Sequence, residues 1–240
     1  MRPSDLATEQ TLRFVGPVLP RGARVLEAGC GRGALARRLL DDGCAVTAID
    51  VSDDAVDAAR AAGVEALKSD FLAFRGGPFD AVLFTRSLHH MHPLPLALER
   101  ASALLAPGGL VVAEEFAVDQ MDRDTARWYY ELASVLQASD LLAPDPDETP
   151  GVADPLERWR AAHRENPPLH GGRAMLAELR TRFEIVTADH APYLYRYFCE
   201  RLEPSPRGLH AAERILEIER RRTEEQSLRA VGLRAVAKKK

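Results

Sequence analysis

The chain has 240 residues, 46% of them apolar and 28% charged, with a net charge of −4. These proportions exclude disorder, collagen and coiled coil for the chain as a whole, and at roughly 150 residues per domain they allow one large domain or one domain with a big insertion. The negative balance supplies no field to gather phosphates, so a dedicated nucleic-acid binder is not expected. No run reaches the ~18 uncharged apolar residues of a membrane span; the longest uncharged stretch, 101–113, is broken by Pro107, Gly108 and Gly109. The opening Met1-Arg2-Pro3-Ser4-Asp5 is polar, which predicts no secretory leader. Cys30, Cys44 and Cys199 are too few and too scattered for a disulfide frame or a zinc site, and predict a cytoplasmic protein.

In chain order, Arg24-Val-Leu-Glu-Ala28 reads as a buried strand running into glycines, and 34–40 has helical spacing stopped by Asp41-Asp42-Gly43. Residues 45–49 form a second strand ending at Asp50, and Ser52 or Asp53 caps the next helix. Strands follow at 64–67, before Asp70, and at 79–84. A helix over 94–105 is closed by Pro107-Gly108-Gly109, and 110–113 is a fifth strand. Strands joined by helices pair in parallel with right-handed crossovers, so residues of about 22–118 predict a doubly wound α/β sheet. The remainder is irregular. A helix over 124–137 carries Trp128, Leu132, Val135 and Leu136 on one side, and Pro144, Pro146, Pro150 and Pro155 then break the chain. Helices over 154–164, 173–181 and 209–225 and a strand at 183–187 complete the pattern.

The loop Glu27-Ala28-Gly29-Cys30-Gly31-Arg32-Gly33 joins the first strand to the first helix, where glycines let a ligand approach the backbone. Read as Gly29-x-Gly31-x-x-Ala34 it also fits a dinucleotide loop, and a tight turn with no ligand is the plainer alternative. Glu27 separates the two cofactor classes. A carboxylate beside the loop repels a pyrophosphate but suits a ligand that carries an ammonium and a sulfonium and no phosphate.

The segment 24–117 resembles the class I S-adenosylmethionine-dependent methyltransferases. Besides the glycine loop, the matching features are Asp50 at the end of the second strand, Asp70-Phe71 after the third, Phe79-Asp80 through His90 at the fourth, and Leu104-Leu105-Ala106-Pro107-Gly108-Gly109 before the fifth. The resemblance implies a seven-stranded Rossmann-like sheet in the order 3-2-1-4-5-7-6 with the last strand antiparallel. The sixth strand is then 183–189 and the seventh 228–237. One methyltransferase domain over 1–240 is expected, with helical lid insertions at about 119–180 and 193–225. The implied cofactor is S-adenosyl-L-methionine, with S-adenosyl-L-homocysteine as product. The implied cofactor site is Glu27, Gly29, Cys30, Gly31, Asp50, Val51, Asp70, Phe71 and Arg86, with Asp50 on the ribose hydroxyls and Asp70 near the adenine amino group. Asp50 also has an alternative role as a helix cap.

His89, His90 and His92 follow the fourth strand, near where the family holds the methyl group. His89 or His90 is the expected base for a hydroxyl or amine nucleophile, against the alternative of a loop-packing motif. No fourth ligand at a telling spacing supports a metal. Tyr193, Tyr195 and Tyr197 share one face if the segment is extended, with Arg196 placed to hold a carboxylate; a half-buried strand or amphipathic helix is the alternative. Trp159, His163, Tyr193 and Arg196 are the substrate candidates, with His170 as a further lid residue. One of Glu114 and Glu115 faces the pocket. No Asn/Asp-Pro-Pro-Tyr signature or Pro-Cys pair of nucleic-acid methylation occurs at the fourth strand. The expected acceptor is a small-molecule oxygen, nitrogen or carbon nucleophile, with no membrane partner. Oligomeric state is left open, with a homodimer as one option. The rival functions are a nicotinamide-dependent oxidoreductase and a non-catalytic cofactor-binding partner subunit.

Overall fold

The computed structural model describes residues 1–145 and 151–240. Its elements in chain order are α1 (Pro3–Val15), β1 (Arg24–Ala28), α2 (Ala34–Asp41), β2 (Ala45–Asp50), α3 (Asp53–Ala61), β3 (Ala66–Lys68), β4 (Phe79–Thr85), α4 (Leu94–Leu104), β5 (Leu105–Phe116), α5 (Arg123–Ala138), α6 (Pro155–Ala162), α7 (Gly172–Arg182), β6 (Phe183–Ala191), α8 (Tyr195–Arg201), α9 (Pro206–Glu224) and β7 (Gly232–Lys239). Pro146 and Pro150, two of the expected chain breakers, lie outside the described residues. The chain divides into two compact units. A sheet unit comprises Thr8–Phe116, Gly172–Asp189 and Leu233–Lys240, and a helical unit comprises Met1–Ala7, Ala117–Gly171 and His190–Gly232.

The sheet has the expected order, β3-β2-β1-β4-β5-β7-β6, with β7 antiparallel. Register sets Val25 opposite Val46 and Ala81, and Glu27 opposite Ala48 and Leu83. β1 and β4 are almost continuously buried, as parallel strands covered on both faces must be. On one face Val25, Val46, Ala48 and Leu83 cluster with Leu35, Ala36 and Leu39 of α2 and Val56 and Ala59 of α3. Each such leucine contributes roughly 1.5–3 kcal/mol on burial. Ser52 caps α3, its side chain accepting from the Ala55 N–H at 3.3 Å, so Asp50 is spared that task. The strand order reverses between β1 and β4, and open α/β sheets bind ligands at the carboxyl ends of strands beside such a reversal.

Three expectations shift. The Pro107-Gly108-Gly109 segment does not sit between a helix and a separate strand. α4 ends at Leu104, β5 starts at Leu105, and the segment is a bulge within it. Leu105 faces Phe79, and the register then slips before Leu110 meets Ala81. Proline lacks the ladder N–H, and Gly108 takes φ 72°, so the extra residues bend out of the pairing. The last strand starts at Gly232 rather than 228, and α1 is a helix that the sequence patterns did not signal.

In the helical unit, α5 is capped by Asp122, whose Oδ1 accepts from the Thr125 N–H at 2.9 Å. Its buried side is Thr125, Ala126, Tyr129 and Ala133, not the expected stripe, and Val135 is 66% exposed. The reason is aromatic packing: the Tyr129 ring lies 5.0 Å from Trp159 and 4.9 Å from Phe198. The extended reading of the tyrosine segment is also overturned, because α8 starts at Tyr195. Fully buried Glu219 of α9 explains it. Its Oε1 accepts from the N–H groups of Tyr193 (2.7 Å) and Leu194 (2.9 Å), and its Oε2 from Tyr195 (2.8 Å). A carboxylate there satisfies the donors that a helix start leaves unpaired. Among the described residues no helix is long and apolar enough to cross a membrane.

Candidate active site

The glycine loop leaves β1 at Ala28 and is sewn to the end of β2. Gly29 and Cys30 both donate to the Ile49 carbonyl, at 2.9 and 3.0 Å. Gly29 has φ 77°, and a Cβ there would lie 2.6 Å from the Ser87 Cβ, so only glycine lets the loop meet the segment after β4. Ser87 returns the contact by donating its hydroxyl to the Ala28 carbonyl at 2.6 Å. A Cβ on Gly31 would meet nothing within 4 Å, so the loop is open on that side.

Two carboxylates stand at this loop. Asp50 braces it: Oδ2 accepts from the Gly31 N–H at 2.9 Å and Oδ1 from the Ser52 N–H at 3.0 Å. Each oxygen retains a second lone pair for a hydroxyl donor. Glu27, at the end of β1, is 2% exposed. Its Oε1 accepts from the Thr85 hydroxyl at 3.4 Å, whereas Oε2 is buried with no hydrogen-bond partner among the described residues. Burial pushes the Glu27 carboxyl up to about 8, against the pull of Thr85, of the Ala36 backbone and of the positive charge of Arg86. Arg86 takes φ 68°, a left-handed backbone unusual outside glycine, held by its N–H to the Glu114 carbonyl at 2.9 Å. Burial, then the charges of Glu27 and Asp50, push the Cys30 thiol up to about 12.

The other expected cofactor residues are placed as follows. Val51 is 65% exposed beside Asp50. Asp70 follows β3, and its Oδ1 accepts from the N–H groups of Leu72 (2.8 Å) and Ala73 (3.2 Å), fixing the turn. Phe71 is buried edge-on against Phe84 at 5.1 Å, which makes it a packing residue of the sheet unit.

After β4 the chain forms a short turn over Leu88–His90. His89 is 5% exposed and its Nδ1 is hydrogen-bonded to Glu115 Oε2. Glu115 is fully buried, and its Oε1 accepts from the N–H groups of Ser87 (3.1 Å) and Leu88 (2.8 Å). His90 is exposed, its ring 4.1 Å from that of His89. Strand alternation sends Glu114 to the opposite face, where it meets Thr11 at 2.5 Å and Arg234 at 2.6 Å. Glu115 is therefore the one that faces the β4 turn.

The comparisons with known proteins agree with this geometry. A family model described as "Methyltransferase domain" matches residues 2–166. The chain belongs to this methyltransferase family. It is 34% identical over 172 residues to a ubiquinone biosynthesis O-methyltransferase from Methylocella silvestris, covering 59% of this chain and 66% of that one, just under two thirds of the relative's length. In fold it is similar to an S-adenosylmethionine-dependent methyltransferase from Mesorhizobium loti, with TM-score 0.60, 19% identity and coverage of 98% and 100%. It is also similar to the N-methyltransferase NodS from Bradyrhizobium japonicum, which is in complex with S-adenosylhomocysteine, with TM-score 0.55, 17% identity and coverage of 98% and 86%.

As a class I methyltransferase the chain takes S-adenosylmethionine as cofactor, and its residues fit that molecule. The orphaned Glu27 Oε2 is what a ligand ammonium would satisfy. The loop is open at Gly31, and the Asp50 carboxylate that braces it would repel a pyrophosphate.

The substrate candidates of this methyltransferase lie in the helical unit and are packed within it. Trp159 is buried and stacked on His163 at 4.1 Å, and His163 Nε2 is 3.0 Å from the Tyr197 hydroxyl. Buried Arg196 donates to the Ala7 carbonyl at 3.3 Å and lies over the rings of Tyr193 and Tyr195. Sequence reasoning missed Ser87 and Thr85 at the cofactor loop. A small residue two places beyond the strand end, opposite a glycine, was the available signal for Ser87.

Proposed function

We propose that the chain transfers the methyl group of S-adenosylmethionine to an oxygen nucleophile of a small molecule. The observation that carries this reading is the glycine loop flanked by Glu27 and Asp50, with an unpaired buried carboxylate oxygen beside it. The choice of oxygen is supported by the name of the Methylocella silvestris relative.

When bound, the cofactor supplies a methyl group on a sulfonium, which leaves as a neutral thioether. Glu27 holds the ammonium end, and Asp50 accepts from the ribose hydroxyls while it keeps Gly31 in place. The Asp70 turn borders the adenine. Acceleration comes chiefly from holding the acceptor oxygen in line with the methyl carbon. A neutral hydroxyl must also lose its proton as it reacts, and a histidine of the pair 89–90 receives it. The test is calorimetry with S-adenosylhomocysteine and NADH, followed by turnover of a panel of hydroxylated acceptors. S-adenosylhomocysteine binding with weak or no NADH binding is expected. Tight NADH binding without S-adenosylhomocysteine binding would refute the reading.

A further inference from the structure

We infer that Glu115 is a positioning residue that fixes the tautomer of His89, and that His89 Nε2 is the atom that takes the acceptor's proton. The inference rests on the methyl transfer proposed above. Its basis is the way Glu115 is occupied. One oxygen is committed to two backbone donors, the N–H groups of Ser87 and Leu88, so it cannot turn away. The other is presented to His89 Nδ1. A carboxylate offers acceptors only, so Nδ1 must carry a hydrogen, and in the neutral ring Nε2 is then left with its lone pair. No other tautomer satisfies the buried carboxylate, whose second oxygen would otherwise lose its partner.

The pair is also tied to the cofactor loop. Ser87, two residues before His89, packs on Gly29 and donates to Ala28. The same turn that Glu115 clamps is thereby braced against the glycine loop. The Glu115 carboxylate is bonded to His89, and the assignment within the pair therefore falls on His89. In the step, the acceptor oxygen bonds to the methyl carbon, the carbon–sulfur bond breaks with its electrons going to sulfur, and the hydroxyl proton passes to His89 Nε2. The resulting imidazolium is held by the carboxylate on its far side.

Glu115→Gln is the informative variant because it conserves volume. An amide has one oxygen and one NH2 group. The oxygen must face the two backbone N–H donors, which leaves the NH2 group facing Nδ1. Nδ1 then has to accept, the hydrogen moves to Nε2, and the base is disabled.

The experiment is nitrogen NMR of the full chain labelled in its histidines at pH 8, with His89 assigned from His89→Gln, beside steady-state kinetics. Wild type is expected to show the hydrogen on Nδ1. E115Q should show it on Nε2, with kcat reduced by about 10²–10⁴-fold and S-adenosylhomocysteine affinity unchanged. A hydrogen on Nε2 in wild type overturns the proposal even if E115Q does not fold. So does an E115Q protein whose kcat stays within about threefold of wild type. If wild type methylates no hydroxyl acceptor, the functional reading fails while the tautomer measurement still judges the pair.

Discussion

Ligand binding at Glu27 should be coupled to proton release. In the free protein burial pushes this carboxyl up to about 8, so at pH 7 about nine-tenths of it is protonated. Pairing with an ammonium requires the ionised form. Below pH 8 the affinity for S-adenosylhomocysteine should therefore rise about tenfold per pH unit, or about 1.4 kcal/mol, and flatten above it. Calorimetry at pH 7 in buffers of different ionisation enthalpy should report close to one proton released per ligand bound. In Glu27→Gln that dependence should vanish. Above pH 8 the variant should bind about 10–100-fold more weakly than wild type, the loss of a charged hydrogen bond, and near pH 6 the two proteins should converge. The ligand's own ammonium titrates in both experiments, so the ratio of the two affinities isolates Glu27. Stability should move the other way. A carboxyl raised in the folded state contributes fully below its unfolded value of about 4.5, and that contribution is lost as pH rises through about 8. The free wild-type protein should lose Tm between pH 6 and 9, with a ceiling of roughly 5 kcal/mol over the whole range, and Glu27→Gln should remove that loss. A wild-type affinity that stays flat from pH 6 to 8, with no proton released, would refute the reasoning.

Asp50→Ala should weaken S-adenosylhomocysteine binding by about 10–100-fold in calorimetry, because it removes acceptors for ligand hydroxyls and unties Gly31. Gly29→Ala drives a Cβ to 2.6 Å from Ser87 at a positive φ; a loss of about 1–3 kcal/mol in denaturant unfolding is expected, together with loss of ligand binding. Glu219→Gln must turn an NH2 group toward backbone donors that the carboxylate now satisfies. It should cost about 1–3 kcal/mol or more in unfolding free energy, with the deficit also visible as faster amide exchange at 193–195.

The part of the fold that was legible is the part governed by local pattern. β1 and β2 are short apolar runs ending at glycine or aspartate, β4 is an apolar run ending at Thr85, and their bounds move by at most a residue or so. Ser52 or Asp53 is legible as a cap because capping is decided by three adjacent residues, and Ser52 is the one that takes the role. The tyrosine segment, open in the sequence between an extended stretch and an amphipathic helix, shows the opposite case. A period of two is visible locally, but α8 exists because Glu219, 24 to 26 residues away, supplies acceptors for its first donors. Likewise the buried side of α5 was decided by Trp159 and Phe198, which meet Tyr129 only in the folded chain. At the site, Glu27, the glycines and Asp50 could be named from order along the chain. The choice between Glu114 and Glu115 needed the face of β5, since adjacent strand residues point apart whichever is inward. His89 and His90 were indistinguishable as letters, and only the carboxylate beneath one of them separates the pair.

The cysteine in the middle of the glycine loop has a chemical consequence. Its thiol, pushed up to about 12 chiefly by burial, leaves only about one molecule in 10⁵ as thiolate at pH 7. Iodoacetamide, maleimides and peroxide react through the thiolate, so Cys30 should be passed over by all three at neutral pH. A covalent inhibitor aimed at this loop would gain nothing from an electrophile placed to meet the sulfur. The same inertness lets the loop keep a cysteine at its centre without becoming an oxidation sensor.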